Sequence, residues 1–376
     1  MYSQQELDEA VAAGVITAAA ANALRAYIEG QRTTAIPDEE QFRLITGFND
    51  IFVSIAAAIL LFAVGWIGQS IGQATGLFIS DHGEIGPSFL APLAVAGTAW
   101  ALALFFTGKR RMALPSILLL LAFVGGVLAT AGFALVEVIG ASRFNNDNQL
   151  LGATVGAVSA AIAAAAAWLH WRRFQVPITV AAGAAAVAGL FQAILIGIVQ
   201  PGNSESAKNL ILGFVLLLGI GMFLFAMWWD ASDRARLTRR SDVAFWLHLL
   251  AAPMIAHPIF ALLGVTNGRV GTAEGLLVVG LYVLFGLTAL AVDRRALLVS
   301  ALAYVLYALT QLFKQFGAVE LNIALTALVI GSALLLLSAY WHQARRVIVA
   351  RLPANLQERL PNLDRPAPVP VSAPAA

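Results

Sequence analysis

The stretch Arg239–Phe260 gathers most of the reactive side chains that an apolar run in this chain can offer. It is entered through the basic doublet Arg239-Arg240, with Asp242 at its mouth. His248 and His257 lie further in, with Pro253 between them and Pro258 just beyond. Ionisable groups inside an apolar membrane segment are costly, so they are functional candidates by default. The histidines are nine residues apart, about 900° of helix, and point to opposite sides of an unbroken one. No i, i+4 metal spacing exists here. A metal site with ligands from several helices stays open. The other expectation is that each histidine hydrogen-bonds a neighbouring helix while the prolines shape the packing.

A second group is Ser300, Tyr304, Tyr307, Gln311 and Lys314. Its steps of 4, 3, 4 and 3 place five polar tips on one helical stripe. Hydrocarbon would not accept such a stripe, so it is expected to face the bundle or water. It could line a passage or bind a polar ligand, or it could join helices by hydrogen bonds while Lys314 snorkels to the surface. Counting fifteen residues from Pro177, Asp242 and Ala296 reaches Gln192, His257 and Gln311, each about 22 Å along its helix. Glu137, Glu274, Glu320 and Asn322 fall near the same outer third. Together they give the expectation of a polar vestibule open on the outer side.

Gly68-Gln69-Ser70-Ile71-Gly72 matches the Gly-x-Ser-x-Gly pattern. A nucleophile elbow needs a strand–turn–helix, which this apolar context does not offer. An intramembrane hydrolase would instead pair Ser70 with a histidine such as His257. Close helix packing through Gly68, Gly72 and Gly76 explains the glycines more simply. There is no phosphate-binding Gly-x-x-x-x-Gly-Lys loop, and without cysteine there is no disulfide or thiolate site.

The elements that carry these residues follow from composition. Hydrophobic residues make up 60% of the 376 and charged ones 12%, and the mean hydropathy is +0.80. Soluble domains carry roughly a quarter charged residues, so the chain reads as all-α and polytopic in a membrane. Ten apolar segments, near 51–72, 88–107, 113–138, 150–170, 176–199, 209–229, 243–264, 274–292, 296–313 and 320–340, are each about long enough to cross roughly 30 Å of hydrocarbon. The alanine-rich 160–167 stretch is expected to sit against other helices rather than lipid. Residues 1–49 read as a helical N-terminal region: a helix from Glu6 stopped at Gly14, a second capped by Thr17, and an interfacial one after Pro37. The start is acidic and helix-forming, unlike a cleavable signal peptide. Residues 50–340 are the bundle. Residues 341–376 are a basic amphipathic tail suited to an anionic inner surface, turning Pro-rich and disordered from Pro361.

Charge placement sets an orientation. With ten crossings, 19 of the 23 lysines and arginines fall on one side, and only Arg143, Lys208, Arg269 and Lys314 fall on the other. The positive-inside rule then puts both termini in the cytoplasm. The doublets at 110, 172, 239 and 294 each precede an outward-going helix, consistent with five helical hairpins. The net charge of +2 gives no basis for nucleic-acid binding.

Glu6-Leu7-Asp8-Glu9-Ala10-Val11-Ala12-Ala13-Gly14-Val15-Ile16-Thr17 and the helix after it resemble the N-terminal hairpin of a family of uncharacterised bacterial multi-pass membrane proteins. Ile45-Thr46-Gly47-Phe48-Asn49-Asp50-Ile51-Phe52 and the Arg239–Phe260 stretch are similar to segments of such proteins. The resemblance covers about a quarter of the chain and implies a bacterial inner-membrane helical protein. It brings no activity and no catalytic residues.

The expectation is therefore an inner-membrane protein without enzymatic activity of its own. It would transport or sense a small solute through His248, His257, Gln192, Tyr304, Tyr307, Gln311 and Lys314. The alternatives are an intramembrane hydrolase and a structural protein whose N-terminal region binds a protein partner. The lipid bilayer is its expected surrounding, and no cofactor or metal is expected.

Overall fold

The computed structural model describes residues 11–23, 48–81, 84–144, 148–202, 204–236, 238–265, 272–315 and 322–363. The chain divides into two units, Met1–Arg43 with Asp364–Ala376, and Leu44–Leu363.

In the first unit, two sequence features act as expected. Gly14 adopts φ +72°, a conformation that suits glycine, and its N–H closes on the Val11 carbonyl at 3.0 Å. The Thr17 hydroxyl accepts the Ala20 N–H at 3.1 Å, capping helical residues 18–23. The start of the helix from Glu6, the helix expected after Pro37 and the Pro-rich end beyond 363 lie outside the described residues.

The second unit is helical, with one two-residue antiparallel ladder pairing β1 (Ser80–Asp81) with β2 (Glu84–Ile85). Its helices are α1 (Phe48–Thr75), α2 (Leu90–Phe106), α3 (Ala113–Ile139), α4 (Gln149–Phe174), α5 (Ile178–Val199) and α6 (Glu205–Ala231). They continue with α7 (Arg239–Leu262), α8 (Thr272–Val292), α9 (Ala296–Gln315), α10 (Asn322–Ala339), α11 (Trp341–Val349) and α12 (Ala354–Gln357). All ten apolar segments are helices. Among the described residues, eight are long and apolar enough to cross a membrane. The pair α10–α11 makes a ninth if its 75° bend is counted within one span, and α2 has only 17 residues. The fold is polytopic and all-α.

Helical hairpins are present, and the basic doublets set their phase. The most intimate neighbours are α2 with α3, α4 with α5, α6 with α7 and α8 with α9. Each pair meets at a basic end: the α2–α3, α6–α7 and α8–α9 turns carry arginines, and Arg172 and Arg173 stand in the last turn of α4. Small residues allow the approach. Ala153, Ala160, Ala163 and Ala167 of α4 are buried and Ala161 and Ala165 are exposed, so one face of the alanine run packs on helices. A Cβ on Gly197 of α5 would stand 3.2 Å from Ala153, and one on Gly183 3.4 Å from Ala167. In α1, Gly68 and Gly72 lie against the start of α2, where a Cβ at Gly68 would meet the Leu90 carbonyl at 2.7 Å. Gly76 serves differently, ending the helix at φ +76°.

The two prolines of α7 also find a physical role. Pro258 has no N–H for the Met254 carbonyl four residues back. That region faces Gly219 of α6, where a Cβ would come 2.8 Å from Met254 C and O. Nearby, Ala252, Ala256 and Phe260 of α7 join Val278, Phe285 and Ala289 of α8 and Ala301, Val305 and Ala308 of α9 in the largest apolar core. α9 packs on both α7 and α8.

Candidate functional site

The chain places polar groups at two levels of this three-helix region. The first is a dry charge cluster. Asp230 ends α6, His248 lies in the third turn of α7, and Arg294 sits in the turn between α8 and α9. An aspartate at a helix C-terminus is opposed by the helix dipole, so it needs a cation nearby. Arg294 supplies one. Its Nη2 is 2.6 Å from Asp230 Oδ1, and its Nε is 3.3 Å from Oδ2. His248 Nε2 lies 3.0 Å from the same Oδ2. Since a carboxylate only accepts, Nε2 carries the hydrogen. Arg294 Nη2 also donates to the Ser241 carbonyl at 3.1 Å. Phe223 meets the His248 ring edge-on and Phe245 lies under the Arg294 guanidinium.

Asp230, His248 and Arg294 are 0%, 2% and 4% exposed. Both carboxylate oxygens are occupied and water is excluded. The cluster therefore pins α6, α7 and the α8–α9 turn to one another. It offers no face to a ligand.

Next to Arg294, Asp293 has φ +60°, which an aspartate tolerates better than most residues. Arg236 Nη1 donates to Asp293 Oδ2 at 2.8 Å, and its Nη2 donates to the Val292 and Asp293 carbonyls, both at 3.2 Å. Trp341 Nε1 donates to Asp293 Oδ1 at 2.8 Å. Burial works to raise the Asp293 carboxyl. Arg236, Arg345, the Trp341 hydrogen bond and Arg294 overcome it and hold the group below the usual carboxylate range. Burial, then repulsion by Arg294, brings Arg236 down to about 10, still cationic near neutrality.

The second level is open. His257 Nδ1 lies 2.7 Å from the Tyr304 hydroxyl. Phe260 stacks on the Tyr304 ring with centroids 4.5 Å apart. His257 is exposed at the bundle surface and Tyr304 is half-buried. The two levels fix a register. His248 and Arg294 share the first level; nine residues on in α7 and ten on in α9, His257 and Tyr304 share the second. The two helices thus run parallel, and the levels are about 13 Å apart along them.

This register changes the depths read from the sequence. His257 is level with Tyr304, and Gln311 lies seven residues, about 10 Å, further along α9. The reason is that the doublets are not level. Eighteen residues of α7 precede His257 but only eight of α9 precede Tyr304, so equal counts from each helix start do not give equal depths.

The polar stripe of α9 also differs from expectation. Ala301, Val305, Ala308 and Leu312 form the buried face. The stripe of Ser300, Tyr304, Tyr307 and Gln311 is one residue, about 100°, to its side. Ser300, Tyr304 and Gln311 are half-buried and Tyr307 is 36% exposed. The Lys314 side chain, Glu320 and the Asn322 side chain lie outside the described residues. Gln192 of α5 has a buried Oε1 without a hydrogen-bond partner, and the same holds for Glu137 Oε2 of α3. Glu274 is exposed in the first turn of α8, where a negative charge suits the helix dipole.

The structure therefore brings His257 and Tyr304 together and sends His248 to a separate cluster. Among the described residues, no hydrogen bond joins Gln192, Tyr307 or Gln311 to the pair. Sequence reading missed Asp230, Arg236, Asp293 and Arg294 as a cluster. One signal was there: Asp230 closes an apolar helix at the end its dipole disfavours. Its cation comes from a turn 64 residues away and its histidine from the next helix, 18 residues on, and spacing reveals neither.

Ser70 gives its hydroxyl to the Trp66 carbonyl of its own helix at 3.0 Å. α1 packs chiefly on α2 and α3, and α7 on α5, α6 and α9, so no Ser70–His257 pairing is formed. Among the described residues, no group of three His, Cys, Asp or Glu is arranged to hold a metal. No protein-family model, curated protein or solved structure matches the chain. Architecture and geometry alone carry the conclusion that this is a polytopic all-α membrane protein.

Proposed function

We propose that the protein is a bacterial inner-membrane protein, with both termini cytoplasmic, that transports or senses a small polar solute at the His257–Tyr304 pair. One observation carries this reading: a hydrogen-bonded histidine and tyrosine stand partway along two apolar helices, and the histidine is exposed. Polar groups at such a depth are costly unless protein or a water-lined cavity receives them. The dry cluster below them is saturated, whereas His257 keeps its Nε2 for a ligand and the Tyr304 oxygen has a second lone pair. Pro253 and Pro258 interrupt the hydrogen bonding of α7 around the pair, as helices that bind solutes in transporters are often interrupted. Membership of the bacterial multi-pass family that the N-terminal hairpin resembles is part of this proposal and fits the helical architecture.

The experiment is a thermal-shift screen of the detergent-purified protein against inorganic ions, amino acids, sugars and carboxylates. It is repeated on His257→Ala and Tyr304→Phe. A compound that raises the melting temperature of wild type and of neither variant supports the site. A compound that shifts all three alike places binding elsewhere and removes the reading.

A further inference from the structure

The segment after α10 was read from sequence as a membrane-surface tail. In the structure, residues 341–363 instead fold back on the doublet end of the bundle. The buried face of α11 is Trp341, Arg345 and Val349, each at most 3% exposed. Val349 and Leu360 join Val292 of α8 in a small apolar core, with Phe223 and Met227 of α6 against it. The segment is a strap with polar clasps at both ends. Trp341 binds Asp293 at its start, and the Arg295 guanidinium covers the Trp341 ring at 4.8 Å. Arg345 closes the strap on itself, donating to the Pro361 carbonyl at 2.7 Å and the Asn362 carbonyl at 3.2 Å. At its far end Arg234, from the α6–α7 loop, donates to the Leu360 carbonyl at 2.9 Å and the Gln357 carbonyl at 3.3 Å. The Asn362 N–H returns a bond to the Arg234 carbonyl at 3.1 Å.

What these clasps hold is a turn. Asp293 is gripped by the strap, and its neighbour Arg294 is gripped by Asp230 and His248 within the bundle. The α8–α9 turn is thus clamped from both sides, and α9 runs rigidly from it to Tyr304. Trp341 is seated in the large apolar core, with Ala344 and Ile348 packed against it. Beyond Val349 the seat is hydrogen bonds to backbone carbonyls and a small apolar patch, and most of residues 350–359 are exposed. That outer part is far easier to open than the helix core.

We propose that residues 350–363 are a releasable latch: docked, they hold Arg345 beside Asp293 and so fix the position of the α8–α9 hairpin, and undocked, they free that hairpin to shift against α6 and α7. The latch stands whether or not the His257–Tyr304 pair handles a solute.

The natural chain has no cysteine, so pairs of introduced cysteines take spin labels cleanly. One pair, at Leu356 and Arg172, reports strap seating. A second, at Tyr307 and Leu217, reports the place of α9 against α6. Wild type is expected to give one narrow distance from each pair. In Arg234→Gln and in Asp293→Asn, both distances should broaden. A Leu356–Arg172 distance that stays narrow in both variants overturns the seat. Broadening there with an unchanged Tyr307–Leu217 distance overturns the coupling. Should Asp293→Asn fail to fold, Arg234→Gln carries the test alone, because among the described residues that guanidinium is bonded only to the strap.

Discussion

Arg294 and Asp230 meet at 2.6 Å across 64 residues of sequence, with their side chains 5% and 0% exposed. A buried ion pair of this kind is a poor source of net stability, yet breaking one side of it is costly. Arg294→Met should destabilise the protein by about 3–5 kcal/mol, because Asp230 is left charged and dry. The double variant Asp230→Leu/Arg294→Met should recover much of that loss. Melting curves of the two single variants and the double variant in one detergent check this. A double variant that melts as low as the sum of the singles predicts would show that the pair is not coupled.

Gly219 is predicted to be intolerant. A Cβ there meets Met254 backbone atoms at 2.8 Å, and backbone cannot swing aside. Gly219→Val should cost about 1–3 kcal/mol by overpacking. Gly221→Val, two residues on and facing open space, should cost nothing by packing, since valine is also the better helix former. Equal melting temperatures for the two variants would contradict the α6–α7 approach.

The Asp293 carboxyl predicts an acid limit for the strap. Its folded value lies below the ordinary carboxylate value, which is about 3.9. The stability it contributes is therefore fully present above that ordinary value, and is lost as pH falls through the lower folded one. A spin label at Leu356 should keep the same mobility from neutral pH down to the usual carboxylate range. It should become mobile only below that range. In Asp293→Asn the mobility should be raised at every pH and lack this acid step. Loosening near pH 6 in wild type would point to a different group.

How far the sequence carried the structure differs by element. Ten apolar segments became ten helices because uncharged length is a local property, and membrane helices satisfy their own backbones. The Thr17 cap and the Gly14 stop were equally local. The alanine run of α4, expected against helices, turns one face inward through Ala160, Ala163 and Ala167 and leaves Ala161 and Ala165 exposed. The depth of His257 was misread because the doublets were treated as level. Only the His257–Tyr304 bond shows that the α7 doublet lies about two turns lower. The stripe of α9 was one residue off the buried face, since small apolar residues at Ala301 and Ala308 pack helices more closely than tyrosines do. The far end of the strap was invisible because Arg234 and Arg345 bind backbone carbonyls there, which leave no trace in residue types.

Orientation is open to direct labelling. Single cysteines at Arg111 and Arg240 should react with an impermeant maleimide only in inside-out vesicles. One at Lys208 should react only in right-side-out vesicles. Labelling of Lys208→Cys and Arg240→Cys from the same side would break the proposed topology, since α6 separates them.

The most direct measurement concerns the environment of His257. His257→Cys, the only thiol in the chain, is treated with a water-soluble maleimide in native membranes and compared with Val299→Cys, which is 66% exposed on the apolar surface of α9. A water-lined solute site predicts that position 257 is labelled at least about tenfold faster, because a thiol in hydrocarbon stays protonated and unreactive. If position 257 resists the reagent as Val299→Cys does, His257 faces lipid, and the pair it forms with Tyr304 is a link between helices rather than a site.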